Sequence, residues 1–250
     1  MDKENTGCKR EEGDWFSGWF GTPHYNLLYR QRSEAEARLF MDSLRGQQWF
    51  RDDLHVLDLG CGNGRHALAL APYVKRMTGL DLSDAQLKMA EESRKDERCV
   101  FVKGDMRDFQ LGEKFDLILN LFTSFGYFDR VDDNMRVLRC VRDHLRSTGV
   151  FVLDYLNAAW VRAHLIPKEK IILDGIQFDI TRTIEHSRIH KIIQVAGGEN
   201  EEVVTLFSDA ELQEMLTSAG LQPSEVYGSY HLDAFDAQTS QRCIIFARPI

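Results

Sequence analysis

The stretch that decides the fold is Val56-Leu57-Asp58-Leu59-Gly60-Cys61-Gly62-Asn63-Gly64-Arg65-His66. An apolar run contains an acid, three glycines follow at alternate positions, and residues 67–71 favour a helix. The pattern predicts a buried strand, a tight turn, and a helix whose N-terminal amides face a ligand. Glycine suits such a turn because a Cβ would hinder either a positive φ or a ligand lying on the backbone.

Two kinds of ligand compete for this turn. A dinucleotide-binding turn has the spacing G-x-G-x-x-G and an acid about 20 residues later, whereas here the spacing is G-x-G-x-G and Asp58 lies two residues before the first glycine. A carboxylate so close would repel a pyrophosphate, but it would attract a ligand that carries an ammonium and a sulfonium. A glycine-rich turn without any ligand is the third interpretation.

The pattern D-x-G-x-G-x-G resembles motif I of the class I S-adenosylmethionine-dependent methyltransferases, and this chain matches it at every position. The nearest likeness is to bacterial small-molecule N- and O-methyltransferases. The resemblance implies S-adenosyl-L-methionine as the cofactor. It also implies that Asp58 helps to hold the methionine end and that the turn of Gly60, Cys61, Gly62 and Gly64 lies beneath it.

Two further acids follow predicted strands. The resemblance implies that Asp81 accepts both ribose hydroxyls and that Leu82 lies beside it in the cofactor site. It also implies that Asp105, between Gly104 and Met106, meets the adenine amino group while Met106 packs near the ring. The alternative for each acid is a strand-end residue that only shapes a turn.

Residues 115–119, Phe-Asp-Leu-Ile-Leu, predict a fourth buried strand. Open α/β sheets bind ligands beyond the carboxyl ends of their strands, so the reactive methyl is expected at this strand's end. Asn120 and Phe122 are therefore candidate cofactor-binding residues, and the run 122–128 resembles the equivalent segment of small-molecule methyltransferases. Tyr127 either shapes the pocket over the sulfonium, where its ring favours a cation, or packs a helix onto the sheet.

A general base is needed only if the acceptor arrives protonated. The candidates by position are His24, Tyr127, Tyr155 and His231, and a structural role is the alternative for each. No metal site is expected, because the five cysteines lack paired metal-ligand spacing.

An aromatic segment precedes the glycine turn. Its residues 25–29, Tyr-Asn-Leu-Leu-Tyr, resemble the Tyr-Asp-x-x-Tyr segment of several small-molecule methyltransferases, including sugar-amine N-methyltransferases, with Asn26 as a departure. We expect Tyr25, Tyr29 and Arg30 to close over the cofactor, with Arg30 pairing with its carboxylate. Packing of these rings on a neighbouring helix is the alternative.

The order of elements predicts an α/β fold, with a doubly wound, mostly parallel sheet of seven strands. The strand order 3-2-1-4-5-7-6 is implied by the resemblance. A small antiparallel sheet is expected after strand five, since Asp174-Gly175 is a hairpin signal. Capping boxes are expected at Ser33/Glu36, Ser83/Gln86 and Ser208/Glu211. The expected divisions are a flexible arm (1–14), a helical lid (15–50), the cofactor-binding core (51–167), the inserted sheet that covers the acceptor (168–206), and a C-terminal helix with an edge hairpin (207–250).

The composition of the chain limits the kinds of binding partner that we expect. The net charge of −8 disfavours nucleic acid and anionic membranes, and no apolar run is long enough to span a bilayer. The polar N-terminus does not resemble a signal peptide, and the scattered cysteines fit the reducing cytoplasm. The leading hypothesis is methyl transfer to a nitrogen or oxygen of a small molecule, by a monomer or homodimer. The alternatives are a methyltransferase for RNA or protein and a non-catalytic binder of S-adenosylmethionine.

Overall fold

The computed structural model describes residues 18–30 and 34–250. The expected arm at 1–14 and the proposed capping residue Ser33 lie outside these ranges. Helices α1 (Pro23–Leu28) and α2 (Glu34–Arg45) lie before the main sheet. α1 begins where the Thr22 hydroxyl accepts the Tyr25 N–H, with a proline in its first turn.

Strands and helices then alternate, as the sequence predicts. The first half of the α/β core that contains the main sheet comprises β1 (His55–Leu59), α3 (Arg65–Leu70), β2 (Arg76–Asp81), α4 (Asp84–Ser93), β3 (Cys99–Lys103) and β4 (Phe115–Asn120). The second half comprises α5 (Val131–His144), β5 (Leu145–Leu156), α6 (Ala158–Ala163), α7 (Asp209–Ser218), β10 (Leu221–Tyr227) and β11 (Arg242–Pro249). The insertion comprises β6 (Lys168–Leu173), β7 (Ile176–Glu185), β8 (Arg188–Val195) and β9 (Gly198–Thr205).

The main sheet has seven strands in the order β10-β11-β5-β4-β1-β2-β3. β1 to β5 pair in parallel, and β11 runs antiparallel to both β5 and β10. With β10 and β11 counted as the sixth and seventh strands, the predicted order 3-2-1-4-5-7-6 is confirmed. The order reverses between β1 and β4, so their carboxyl ends open a crevice in which such folds bind ligands.

The insertion is a separate antiparallel sheet in the order β6-β7-β8-β9, as predicted after strand five. Its first hairpin turns through Asp174 and Gly175, both at positive φ. The N-terminal segment packs on one face of this sheet, where Trp19 and Leu28 join a buried cluster with Phe178, Ile180 and Ile193. Among the helices of the described ranges, none is long and apolar enough to cross a membrane.

The capping boxes predicted from the sequence are confirmed at one helix and only partly formed at another. Ser208 and Glu211 form the predicted reciprocal capping box of α7, and Gly220 follows it at φ 83°. Ser83 caps α4 through the Gln86 N–H, but the Gln86 side chain does not return to Ser83. The prediction of a full capping box there was wrong, because the Gln86 amide bonds to the N-terminal segment instead.

Candidate active site

The glycine turn after β1 has the backbone that its sequence requires. Gly60, Gly62 and Gly64 have φ values of 77°, 54° and 77°, a region that side chains disfavour. A Cβ on Gly60 would lie 2.9 Å from the Ser124 Cβ, so this position also needs a residue without a side chain. Gly60 and Gly62 line a pocket at the carboxyl ends of β1, β2 and β4, whereas Gly64 faces inward against Phe101.

Asp81 ends β2 in that pocket. Its carboxylate accepts hydrogen bonds from the Gly62 N–H at 2.7 Å and from the Ser83 N–H at 2.9 Å. Burial raises the pKa of this carboxyl, and the backbone hydrogen bonds oppose that rise. Leu82 lies beside it in the lining, so both predicted residues reach the pocket.

Asp105 lines the same pocket with Gly104 and Met106, as predicted from the sequence. Its carboxylate is held by the Arg107 guanidinium at 2.6–3.0 Å. Partial burial alone would raise the pKa of Asp105, but the hydrogen bonds and charge of Arg107 outweigh it and the pKa is lowered. The Asp105 carboxyl is therefore held ionised and can act as a hydrogen-bond acceptor, with its charge balanced by Arg107.

Asp58 lies behind the turn rather than in the pocket lining, and its side chain is 1% exposed. Burial and the nearby Asp81 charge raise its pKa to about 7, while Arg65 and the Ala67 amide act in the opposite direction. Its Oδ2 atom has no hydrogen-bond partner among the described residues. A buried carboxylate with an unused acceptor is suited to a cationic group brought in by a ligand.

The segment after β4 contributes Ser124, Tyr127 and Phe128 to the lining. Two predicted cofactor residues do not reach it. The buried Asn120 amide donates to the Leu59 carbonyl at 2.8 Å, which ties β4 to β1. The Phe122 ring packs instead under the Arg65 and Arg242 guanidinium groups.

The N-terminal segment closes one side of the pocket through Phe20 and Tyr25. Gln86 on α4 holds this segment, because its amide donates to the Phe20 carbonyl at 2.5 Å and to Asn26 Oδ1 at 2.9 Å. Asn26, the departure from the family pattern, is thus turned toward α4. Tyr25 thus lines the pocket, and its closure over the cofactor as part of a lid stays a prediction.

Tyr29 and Arg30 lie elsewhere than the sequence suggested. Tyr29 donates to the Glu202 carboxylate at 2.6 Å on β9, and it is not part of the pocket lining. Arg30 forms an exposed ion pair with Asp174 at 2.7 Å. The expectation that Arg30 pairs with the cofactor carboxylate does not match this structure, because Arg30 lies outside the pocket lining and its guanidinium pairs with Asp174 of the inserted hairpin.

The four candidate general bases differ in whether they reach the pocket. Tyr127 lines the pocket and is half-buried. His24 packs edge-on against Phe178 of the inserted sheet, and Tyr155 is fully buried with its hydroxyl donating to the Thr205 carbonyl. His231 is exposed in the segment between β10 and β11. Of the four, the structure brings only Tyr127 to the pocket.

Several residues of the pocket lining were not predicted from the sequence. Phe20 lies in the aromatic N-terminal segment and Gln86 in the helix after Asp81, so each lies in a segment that the sequence singles out. Their contact was not predicted because the two residues are far apart in the chain. Ser124 carried a usable signal, since it lies in the run after β4. The residues that the sequence analysis did not propose as site residues are Phe20, Leu80, Gln86, Ser124 and Phe128. The buried Cys61 was proposed but does not line the pocket; burial first, and then Asp58 and Asp81, raise its pKa.

Comparison with known proteins agrees with this geometry. The family described as "Methyltransferase domain" matches residues 56–149. A dTDP-3-amino-3,4,6-trideoxy-alpha-D-glucopyranose N,N-dimethyltransferase of Streptomyces venezuelae is 26% identical over 219 residues, which cover 82% of this chain and 91% of that protein. A cypemycin N-terminal methyltransferase of Streptomyces sp is 26% identical over 215 residues, covering 79% and 84%. The crystal structure of an S-adenosylmethionine-dependent methyltransferase from Clostridium acetobutylicum superposes with a TM-score of 0.75 at 20% identity, covering 90% of this chain and 96% of that one.

The sheet order and the pocket define a nucleotide-binding α/β enzyme fold. Residues 56–149 match a methyltransferase domain, and the chain is an S-adenosylmethionine-dependent methyltransferase with the α/β fold of such enzymes and S-adenosyl-L-methionine as its cofactor. The residues present fit that group: Asp81 and Asp105 are acceptors in a lining that is otherwise largely apolar or glycine, and Asp58 has an unused buried acceptor. In the described part of the chain, no group of three or more His, Cys, Asp or Glu side chains could hold a metal ion.

Proposed function

We propose that the protein transfers a methyl group to the nitrogen of a small-molecule amine, with an amino sugar as the acceptor class. The single observation that carries this proposal is the pocket itself, which Phe20 and Tyr25 close from one side and Tyr127 and Phe128 from another. One relative is named an amino-sugar N,N-dimethyltransferase and another an N-terminal methyltransferase, and both names support nitrogen as the acceptor atom. The acidic chain, at −8, argues against RNA.

The cofactor residues divide into three groups. Asp81 would hold the ribose hydroxyls, Asp105 with Met106 would hold the adenine, and Asp58 with the glycine turn would hold the methionine end. The Gly60 and Gly62 backbone leaves room for that end because no side chain projects from it. When bound, S-adenosyl-L-methionine supplies a methyl group made electrophilic by its sulfonium.

The remaining task of the protein is placement. Holding an amine in line with a reactive carbon at about 3 Å supplies much of the acceleration. Phe20, Tyr25 and Phe128 exclude water from the pocket, which strengthens electrostatic interactions within it. The Tyr127 hydroxyl would accept a hydrogen bond from the acceptor N–H, orient the nitrogen lone pair, and pass the released proton toward solvent.

The inserted sheet and the N-terminal lid form the acceptor cover in this proposal. The divisions expected from the sequence, a lid at 15–50 and a cover at 168–206, are part of it, as are a monomeric or homodimeric state and a cytoplasmic location. The described cysteines Cys61, Cys99, Cys140 and Cys243 are all free, which is consistent with a reducing compartment.

An acceptor panel tests the proposal. The purified protein would be incubated with S-adenosylmethionine and, in separate reactions, a dTDP-linked amino sugar, the corresponding hydroxyl sugar, a peptide with a free N-terminus, and a structured RNA. Mass spectrometry of each acceptor should show a gain of one or two methyl groups on the amino sugar only. Methylation of the peptide alone would reassign the enzyme to peptide amines. Cofactor binding without methylation of any member of the panel would count against the amino-sugar proposal.

A further inference from the structure

The backbone just after β4 is held in an unfavourable conformation. Phe122 and Thr123 have φ values of 58° and 62°, so two consecutive residues other than glycine are left-handed. This region disfavours side chains, and a β-branched residue such as Thr123 is a rare occupant of it. Strain of this kind persists only where surrounding contacts impose it.

Three residues hold this conformation in place here. Asp154 accepts the Phe122 N–H on its carboxylate at 2.8 Å and the Thr123 N–H on its carbonyl at 3.0 Å. Arg242 bonds to the Asp154 carboxylate at 2.8 Å and to the Thr123 hydroxyl at 3.0 Å. The Tyr230 hydroxyl donates to the same carboxylate at 3.0 Å. We call Asp154, Arg242 and Tyr230 the clamp.

The clamped residues lead directly into the pocket. Ser124 follows Thr123, donates to the Leu121 carbonyl at 2.8 Å and lines the pocket. Tyr127 lies three residues further on. Gly126 between them is fixed separately, because its carbonyl accepts the Thr205 N–H at 2.9 Å. The segment 121–128 is therefore anchored at one point by the clamp and at another by the inserted sheet.

The clamp also contains a buried ion pair, which the stability of the fold does not by itself explain. Asp154 is 0% exposed, and replacing a buried ion pair by apolar residues is often neutral or stabilising. In some proteins a buried polar pair serves to select one conformation, and the conformation that this pair contacts is the left-handed one of Phe122 and Thr123. None of the three clamp residues lines the pocket.

We propose that Asp154, Arg242 and Tyr230 are positioning residues, which hold Phe122 and Thr123 left-handed and thereby place Ser124 and Tyr127 in the cofactor pocket. The proposal rests on the cofactor site and not on the identity of the acceptor. Its test therefore uses binding of S-adenosylhomocysteine, which needs no acceptor and stays informative if the proposed amine substrate is wrong.

The first comparison uses two matched tyrosine variants. Tyr230→Phe removes one hydrogen bond to Asp154 but keeps the ring that stacks on Phe40. Tyr227→Phe removes a tyrosine hydroxyl that donates to Glu225, also near the sheet edge but outside the clamp. Calorimetry should show three- to tenfold weaker binding of S-adenosylhomocysteine for Tyr230→Phe and unchanged binding for Tyr227→Phe. Equal affinities for Tyr230→Phe and the parent protein would overturn the proposal.

The second comparison is a rescue. Asp154→Asn should weaken binding by at least tenfold, measured well below its melting temperature so that the protein remains folded. Adding Thr123→Gly to Asp154→Asn should recover part of the affinity, since glycine adopts the left-handed conformation without the clamp. A melting temperature that falls while affinity stays at the parent value, or a double variant that binds no better than Asp154→Asn, would show a role in folding alone.

Discussion

The backbone N–H of Gly62 donates a 2.7 Å hydrogen bond to the Asp81 carboxylate. This bond joins the turn after β1 to the end of β2, so the two parts of the cofactor pocket share one support. The carboxylate receives a second backbone hydrogen bond from Ser83, which fixes its orientation before any ligand binds. An acceptor that is already oriented loses little freedom on binding a ribose.

Asp81→Ala should therefore weaken S-adenosylmethionine binding by about 2–4 kcal/mol, the scale of losing charge-assisted hydrogen bonds in a pocket. Isothermal calorimetry measures the change. The matched control is Asp84→Ala, which removes an acid three residues later that is paired with Lys103 at the surface. The control should bind the cofactor as the parent protein does, and an unchanged affinity for Asp81→Ala would remove this carboxylate from the site.

The parts of the site that could be predicted from the sequence are those fixed by short-range geometry. The glycine turn, Asp81 and Asp105 each lie at a strand end, where the position in the chain determines the position in the sheet. Arg30 could not be placed in this way, because its partner Asp174 lies in a hairpin 144 residues away. Phe20 and Gln86 escaped for the same reason, since their contact depends on how the N-terminal segment packs.

Asp58 makes the stability of the protein without cofactor depend on pH. Its folded-state pKa of about 7 lies above the ordinary value of 3.8, so ionisation destabilises the folded state. Its contribution is fully favourable below about pH 4 and is lost as the pH rises through 7. Asp58→Asn removes the ionisation, so the variant should gain up to about 4 kcal/mol relative to the parent protein between pH 4 and pH 8.

Urea denaturation at several pH values checks this sign. The amide oxygen that Asp58→Asn introduces can still accept the Ala67 N–H, so the difference isolates the charge. A parallel series with Asp84→Asn, an exposed carboxyl, should follow the parent profile. A parent and Asp58→Asn pair whose stabilities differ by the same amount at pH 5 and pH 8 would contradict a raised pKa. Saturating S-adenosylmethionine should reduce the difference, since its ammonium would stabilise the ionised carboxylate.

Glu202 holds the N-terminal segment on the inserted sheet. It accepts the Trp19 indole N–H at 2.7 Å and the Tyr29 hydroxyl at 2.6 Å, and it lies 3.4 Å from the Lys191 ammonium. Glu202→Gln leaves an amide that cannot satisfy all three donors. We expect the segment to open more often and S-adenosylhomocysteine to dissociate three- to tenfold faster, as measured by stopped-flow fluorescence of the tryptophans.

The control for that experiment is Glu201→Gln. Glu201 is adjacent on β9 but points to the other face of the sheet, where it contacts His190. Its substitution should leave the dissociation rate unchanged. Equal rates for both variants would show that the Glu202 contacts do not govern access to the pocket.

A side chain at Gly64 would clash with a neighbouring ring, whereas a side chain at Gly112 would not. A Cβ at Gly64 would lie 2.7 Å from the Phe101 ring, whereas a Cβ at Gly112 would meet nothing within 4 Å, although the two residues have similar φ values of 77° and 69°. Gly112→Ala should therefore cost only the conformational penalty, about 1–2 kcal/mol of unfolding free energy. Gly64→Ala adds overpacking of about 1–3 kcal/mol. Urea denaturation separates the two effects, and Phe101→Leu in the Gly64→Ala background should restore part of the stability if the ring is the obstacle.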